Sequence, residues 1–369
     1  GCSRRHRAGR GFGEAALDNN GIETQPVPIR VRVTIRNGEM HVDTTGTAPQ
    51  QIGPVNSPLP STVSAARLVM KMIMAPHYDA NEGFFRPLRM VVPQGSLLNP
   101  TAPAPVFLYG WASIMMGEAL FKALAMAAPQ RAVARSGGDL GGLLFSGFSP
   151  EDGTFYAGGA DESCGQGAAI DQDGESATIH WALGESRNVP AEIIEERYPI
   201  LVERYELWQD SGGAGRFRGG LGVRKYWRAL ADMKLIAVIE QTGYPAYGLE
   251  GGQGSWPNAL VLSADSPDAK AVGKIAGYML KKDARLQLHM GGGGGWGSPL
   301  ERDPEAVLRD VTAEYVSVSA AERDYGVVIQ SAEGRHTLDK LATQSMRASR
   351  SQAAMNKVTS SLSEPLTTN

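Results

Sequence analysis

The sequence predicts an α+β protein, β-rich, with Gly-rich loops and a few short-to-medium helices. Three observations carry that class. The chain has 45 Gly and 22 Pro in 369 residues, a Gly share well above the usual ~7% and typical of many turns. Its clearest periodic segments alternate apolar and polar residues, and few repeat with a helical period. No regular strand–helix–strand alternation and no repeat of fixed period runs through it, which disfavours a doubly wound sheet.

Taken in order, IRVRVTIRNGEMHVDTTG from Ile29 reads as a hairpin. Val31, Val33 and Ile35 alternate with polar residues, and Asn37-Gly38 suits a type I′ turn, whose two central positions need φ > 0. In NSPLPSTVSAARLVMKMIM, Ser61 or Thr62 is expected to cap a helix reaching about Met74, with Val63, Ala66, Met70 and Ile73 on one face. FRPLRMVV from Phe85 reads as a short strand, and a Met- and Ala-rich helix is expected from about Ala112 to Ala127, before Pro129. Residues 136–174 are Gly-studded and polar, so short strands and loops are expected. NVPAEIIEERYP holds a helix of about two turns between Pro190 and Pro199, with Glu192, Glu195 and Glu196 on a solvated face. ILVERYELW, GVRKYWRAL and MKLIAVIEQ read as strands, and so does LQLHM. RDPEAVLRD is a helix with Asp303 as N-cap and Pro304 at its first position. EYVSVS reads as a final strand. The Ser/Thr-rich tail from about Ser331 allows a short helix at Thr337–Met346, with disorder expected over about the last fifteen residues.

The formal net charge of -3 argues against nucleic acid or an anionic membrane as the main partner. The two cysteines, Cys2 and Cys164, make no disulfide framework, so a reducing cytoplasm is expected. No apolar run has the ~18 residues of a spanning helix, and the basic start GCSRRHRAGRGFG has no apolar stretch after it as a secretory signal would. The chain lacks an initiator Met, as expected of a fragment or a processed chain.

Several constellations bear on chemistry. After LQLHM, the run GGGGGWGSPLERDPE places Gly292, Gly294 and Gly297 in G-x-G-x-x-G spacing. The next helix starts well beyond Gly297, with Pro299 between, whereas a dinucleotide fingerprint needs the helix N-terminus at the last glycine. A structural loop is therefore expected. In DSGGAGRFRGGLG, Arg216 and Arg218 among Gly213, Gly215 and their neighbours suit either an anion loop or a strand connection. The absence of GK[ST] excludes a P-loop. Asp161-Glu162-Ser163-Cys164 puts two carboxylates and a thiol together with no local base for a nucleophilic Cys, so a carboxylate role is the better expectation. The six histidines, His6, His41, His77, His180, His289 and His336, show no paired ligand spacing. A metal site would have to assemble from distant residues, such as His180 with Asp161 or Glu162. Asp43 in VDTTGTAPQ either caps a turn or faces a site.

VDTTGTAPQ with PVNSPL, NEGFFRPLRMVVPQGSLLNP, RNVPAEIIEERYP, ERYELWQDSGGAGRFRGGLG, GGGGGWGSPLERDPEAVLRDV and DYGVV occur in that order. Together they resemble the hydantoinase B/oxoprolinase family, from about Gly21 to Ile329. The resemblance implies ATP-dependent opening of a cyclic amide such as a hydantoin, 5-oxoproline or another lactam. ATP would be bound by a hydantoinase A-type partner, and a divalent metal of unspecified identity would serve the full assembly. Related assemblies carboxylate ketones such as acetone or acetophenone, and a non-catalytic scaffold remnant is a third reading. The implied organisation is a divergent or truncated segment at 1–20, the family region at 21–330 and a polar, partly disordered tail at 331–369. Family chains carry a further N-terminal part with metal-binding Asp and His residues, which a separate chain would supply, and exposed apolar surface is expected where it docks. Within the matched segments, Asp43, Asn56, Glu162 and His180 are implied near the reaction chamber. Arg216 and Arg218, with Gly213 and Gly215, are implied at an anion loop or interface. Glu185 stands where the family often has an amide, and DESCGQGA is a loose version of the family's Gly-rich segment.

Overall fold

The computed structural model describes residues 9–138, 141–184 and 187–363. Its architecture is α+β, with three hydrophobic cores. The first is built on a four-stranded sheet in the order β1 (Gly9–Leu17), β2 (Val27–Arg36), β3 (Glu39–Asp43) and β4 (Leu88–Val91), antiparallel except for the parallel β3–β4 pair. β2 alternates as expected, with Ile29, Val31, Val33 and Ile35 buried. Asn37 and Gly38 both take positive φ, 51° and 78°, so the turn is the one the sequence predicts. Helices α1 (Leu59–Met74) and α3 (Tyr109–Ala127) cover the sheet, while the short α2 (Glu82–Phe85) leads into β4. The predicted cap of α1 is corrected: Pro58 precedes the helix, Pro60 lies in its first turn, and the Thr62 hydroxyl donates to the Leu98 carbonyl. A proline in the first turn costs nothing, because its N–H would be unpaired there anyway. Strand β1 was not foreseen. Its alternate residues Gly9, Gly11 and Gly13 let α3 lie directly on the strand, since a Cβ on Gly11 would overlap the Ala123 carbonyl oxygen.

The second core lies between two sheets packed face to face. One runs β12 (Lys274–Leu280), β9 (Met233–Val238), β5 (Gly142–Phe148) and β6 (Phe155–Ala160). The other runs β11 (Lys270–Val272), β10 (Ala259–Leu262), β13 (Arg285–Met290), β8 (Val223–Ala229) and β7 (Ile200–Leu207). The three consecutive predicted strands therefore divide, with β7 pairing β8 while β9 joins the opposite sheet. α4 (Ala191–Arg197) sits before β7, as the two flanking prolines imply.

The third core gathers α5 (Pro304–Thr312), α6 (Val318–Tyr325), β14 (Ile329–Ala332) and β15 (Arg335–Leu338). The Asp303 side chain accepts from the Glu305 N–H, as predicted. EYVSVS is not a strand. Ser317 within it is the N-cap of α6, accepting from the Ala320 N–H, and Val318 and Ser319 already belong to the helix that AAERDY continues. The tail helix α7 begins at Lys340 and runs to Ser363, longer than the one expected at Thr337–Met346. Residues 364–369, part of the expected disorder, lie outside the described residues.

The Gly291 run is the hub between the cores. The N–H groups of Gly293, Gly294, Gly295 and Gly297 donate to the carbonyls of Gly220, Arg135, Gln253 and Leu249. Gly213 donates to Gly293, and Arg216 to Gly297. These donors are spent on backbone, so the run is a structural loop and offers them to no phosphate.

Candidate functional site

The first turns of α1 and α3 and the 3₁₀ turn Trp181–Leu183 bound an open groove of about 490 Å³. Phe107 and Trp111 also wall a second cavity of about 290 Å³, set against β5, β6 and β9 with Asp161 on its lining. The Trp111 ring lies against Gly142, where a Cβ would come within 3.2 Å of it.

Two buried carboxylates lie close to this double groove in the chain. Glu118, on the buried face of α3, accepts from Trp181 Nε1 at 2.8 Å and contacts His180 Nε2 at 3.3 Å. His180 Nδ1 accepts from the Ala182 N–H and so caps the 3₁₀ turn. That fixes the tautomer: the ring proton sits on Nε2, toward Glu118. Ala182 and Leu183, held in this way, line the first cavity. Glu162, 1% exposed, pairs with Lys225 Nζ at 2.9 Å, and the lysine is packed against the rings of Tyr205 and Trp227. Burial raises the Glu162 carboxyl above its ordinary range and outweighs the opposing charge of Lys225. Asp161 is exposed to the cavity mouth, yet the surrounding protein desolvates it enough to raise its pKa too. Ser163, Asn188 and the Tyr205 hydroxyl continue the polar cluster by hydrogen bonds of 2.8–3.1 Å.

Glu162 and His180 approach along the chain, because Cys164 bridges Thr178 two residues from each. Their side chains have different partners, and His180 faces Glu118 rather than Asp161 or Glu162. Among the described residues no three His, Cys, Asp or Glu side chains gather as a metal site. The described residues of this chain thus do not by themselves fit the metal that the resemblance implies. Asn56 is fully buried, with its amide accepting from Gln51 N and donating to the carbonyls of Gln51, Gly53 and Pro105. Asp43 accepts from the Thr45 N–H at the end of β3. Arg218 is buried against Asp310 and the Tyr315 ring, while Arg216 lines a different cavity with Asp171 and Asp303. Gly213 and Gly215 are packed against other backbone, that of Gln253 and Trp296. Cys164 is buried, and Glu185 lies outside the described residues.

A family model described as hydantoinase B/oxoprolinase matches residues 4–299. The chain belongs to this family. It is 31% identical over 332 residues to the B-type component of a putative D-/L-hydantoinase from Pseudomonas sp. strain NS671, covering 88% of this chain and 55% of that one. It superposes on the crystal structure of an ATP-dependent caprolactamase from Pseudomonas jessenii with a TM-score of 0.82 and 28% identity, covering 94% of this chain and 61% of that one. A nucleotide-free acetone carboxylase structure has the same TM-score, 0.82, at 21% identity, covering 97% of this chain and 53% of that one, and so shares the fold. The chain thus spans little more than half the length of these relatives. The family match takes in β1, upstream of where the sequence resemblance begins.

Glu118, Lys225 and Trp181 were not anticipated as site residues. Glu118 carried a signal, being the lone charge in the apolar stretch SIMMGEALF. Lys225 carried one too, since in its alternating strand it shares the face of Val223, Trp227 and Ala229.

Proposed function

We propose that this chain forms part of a subunit of an ATP-dependent cyclic amidohydrolase. It would open a hydantoin, 5-oxoproline or other lactam ring with a hydantoinase A-type partner, in the cytoplasm. The observation that carries the reading is the Asp161–Glu162 step, with one carboxyl at a small cavity and the next buried and desolvated. The names of two family relatives, a hydantoinase component and an ATP-dependent caprolactamase, support it. Among the described residues no helix is long and apolar enough to cross a membrane.

An unstrained lactam is a poor electrophile. ATP held by the partner supplies a phosphoryl group to the amide oxygen, so that the carbon accepts water. This chain's task is then proton handling. As the C–O bond forms, the water proton passes to the carboxylate at 161–162. As the C–N bond breaks, that proton goes to the ring nitrogen and leaves an open-chain acyl phosphate, which a second water cleaves to the carboxylate and inorganic phosphate. A carboxyl raised by burial suits both roles better than one at its ordinary pKa. His180 and Asn56 act by position. His180 with Glu118 sets the turn that lines the groove, and Asn56 ties down Pro105, just before Phe107. Asp43 shapes the turn after β3, and Arg216 and Arg218 fix the internal interface.

The test is purification of the native assembly, with cyclic amide-dependent ATP hydrolysis measured beside ring opening. A co-purifying ATP-binding partner and coupled turnover are expected. Glu162→Gln should lower kcat by about 10²–10⁴, and unchanged turnover in both Glu162→Ala and His180→Ala would remove these residues from the site. Incorporation of labelled bicarbonate into a ketone would move the assembly to carboxylation. A chain isolated without a partner and without such activity would leave a scaffold.

A further inference from the structure

The two cavities share the Phe107–Trp111 wall, and their charge is one-sided. Among the described residues, Asp161 is the one charged side chain on either lining, and no Lys, Arg or His appears there. The rest is aromatic, aliphatic, Gly or hydroxyl surface, such as Trp111, Leu144, Gly142, Gly159 and Ser113. The smaller cavity, about 290 Å³, is near the lower end of the roughly 300–1,000 Å³ of small-molecule sites. Its backbone walls are tight by construction. A Cβ on Gly159 would overlap the Leu143 carbonyl oxygen, so the wall admits only Gly there.

We propose that the Phe107–Trp111–Asp161 cavity is the ring-binding site, and that it selects uncharged cyclic amides over ones carrying a carboxylate. The proposal rests on the cyclic-amide reading and narrows its substrate class. An apolar ring is covered by the aromatic wall, and an amide N–H has Asp161 as its acceptor. A carboxylate-bearing ring such as 5-oxoproline finds no cation among the described lining residues and meets a like charge at the mouth. Such an unpaired, partly desolvated charge is a strong discriminator.

The experiment is saturation-transfer NMR and equilibrium dialysis on the full chain at pH 8, with ε-caprolactam, hydantoin and 5-oxoproline as probes. Caprolactam and hydantoin should bind at least about tenfold more tightly than 5-oxoproline, as expected for a like-charge pair at short range. Phe107→Ala, at a side chain 69% exposed and so safe for folding, should weaken the neutral probes severalfold. Asp161→Asn should narrow the preference by strengthening 5-oxoproline alone. Equal or tighter binding of 5-oxoproline overturns the selectivity, and so does a preference unmoved by Asp161→Asn. Failure of all three probes, or indifference to Phe107→Ala, overturns the site. Ring opening by the native assembly reports separately on the cyclic-amide reading. Turnover of 5-oxoproline above caprolactam would sink this proposal and leave that reading standing.

Discussion

Lys225 and Glu162 are both buried and pair at 2.9 Å, so the two residues stand or fall together. Removing one partner of a buried pair strands the other. Lys225→Met should destabilise the chain by about 3–5 kcal/mol at pH 8. The loss should shrink as pH falls, because burial already favours the protonated Glu162 carboxyl, and the double variant Lys225→Met/Glu162→Gln should recover part of it. Urea midpoints across a pH series measure this. A second buried carboxylate makes a pH prediction. Glu240, paired with Lys274 and accepting from the Asp18 N–H, is pushed by burial from its ordinary 4.5 up to about 7. The folded state therefore binds this proton more tightly than the unfolded state. The contribution is complete below about pH 4.5 and lost as pH rises through about 7. Glu240→Gln should flatten the stability profile across that window, and a profile unchanged by the substitution would refute the assignment.

At the scale of elements, backbone contact rather than side-chain packing holds the Gly-rich segments together. Gly219 has no positive φ, yet a Cβ there would overlap the Gly293 carbonyl oxygen. Gly38 has φ 78° but nothing within 4 Å of its Cβ position. Gly38→Ala should therefore cost only the ~1–2 kcal/mol of a left-handed residue, and Gly219→Ala considerably more, because two backbones must separate. Comparing the two thermal midpoints checks it. The reverse order would mean that conformation, not contact, is what these glycines supply. The same logic explains β1. GRGFG carries too few β-branched residues to read as a strand, but its glycines give α3 a flat bed.

At the scale of the molecule, Arg302 joins the third core to the rest. It donates to Asp173 at 2.6 and 2.7 Å, to Asp310 at 2.8 Å and to the Arg216 carbonyl at 3.1 Å. Burial alone would raise the Asp173 carboxyl, but the Arg302 hydrogen bonds and charge outweigh it and hold it below its ordinary range. Arg302→Ala leaves Asp173 only the Arg218 N–H and Asp310 only the Arg218 guanidinium at 3.6 Å, and should cost about 3 kcal/mol. Hydrogen exchange should rise first in α5 and α6, and protection unchanged there would show that the apolar contacts of Val307, Val311 and Tyr325 suffice. Exposed apolar side chains at this scale include Leu59, Leu68 and Met72 on α1 and Phe107 and Tyr109 at the groove. Relatives almost twice as long have further chain to set against their own surfaces.

The sequence by itself determined the elements whose causes are local. The Asn37-Gly38 hairpin, α3, α4 between its prolines, the Asp303 cap and the α+β class all follow from turn chemistry, caps and periodicity within a few residues. It also placed the family, through motifs in a fixed order, and excluded a nucleotide fingerprint at Gly291, since the helix that follows starts too late. Only the tertiary structure decided which strands share a sheet, that β1 is a strand, and that EYVSVS leads into a helix. It alone set Glu118 against His180, Lys225 against Glu162 and Asp161 at a cavity. The reason is physical. A cap or a turn is an interaction between neighbours, legible wherever the residues stand together. A buried charge is tolerated only because a partner arrives from far along the chain, 62 residues away for His180 and Glu118 and 63 for Lys225 and Glu162, and no local pattern records that distance.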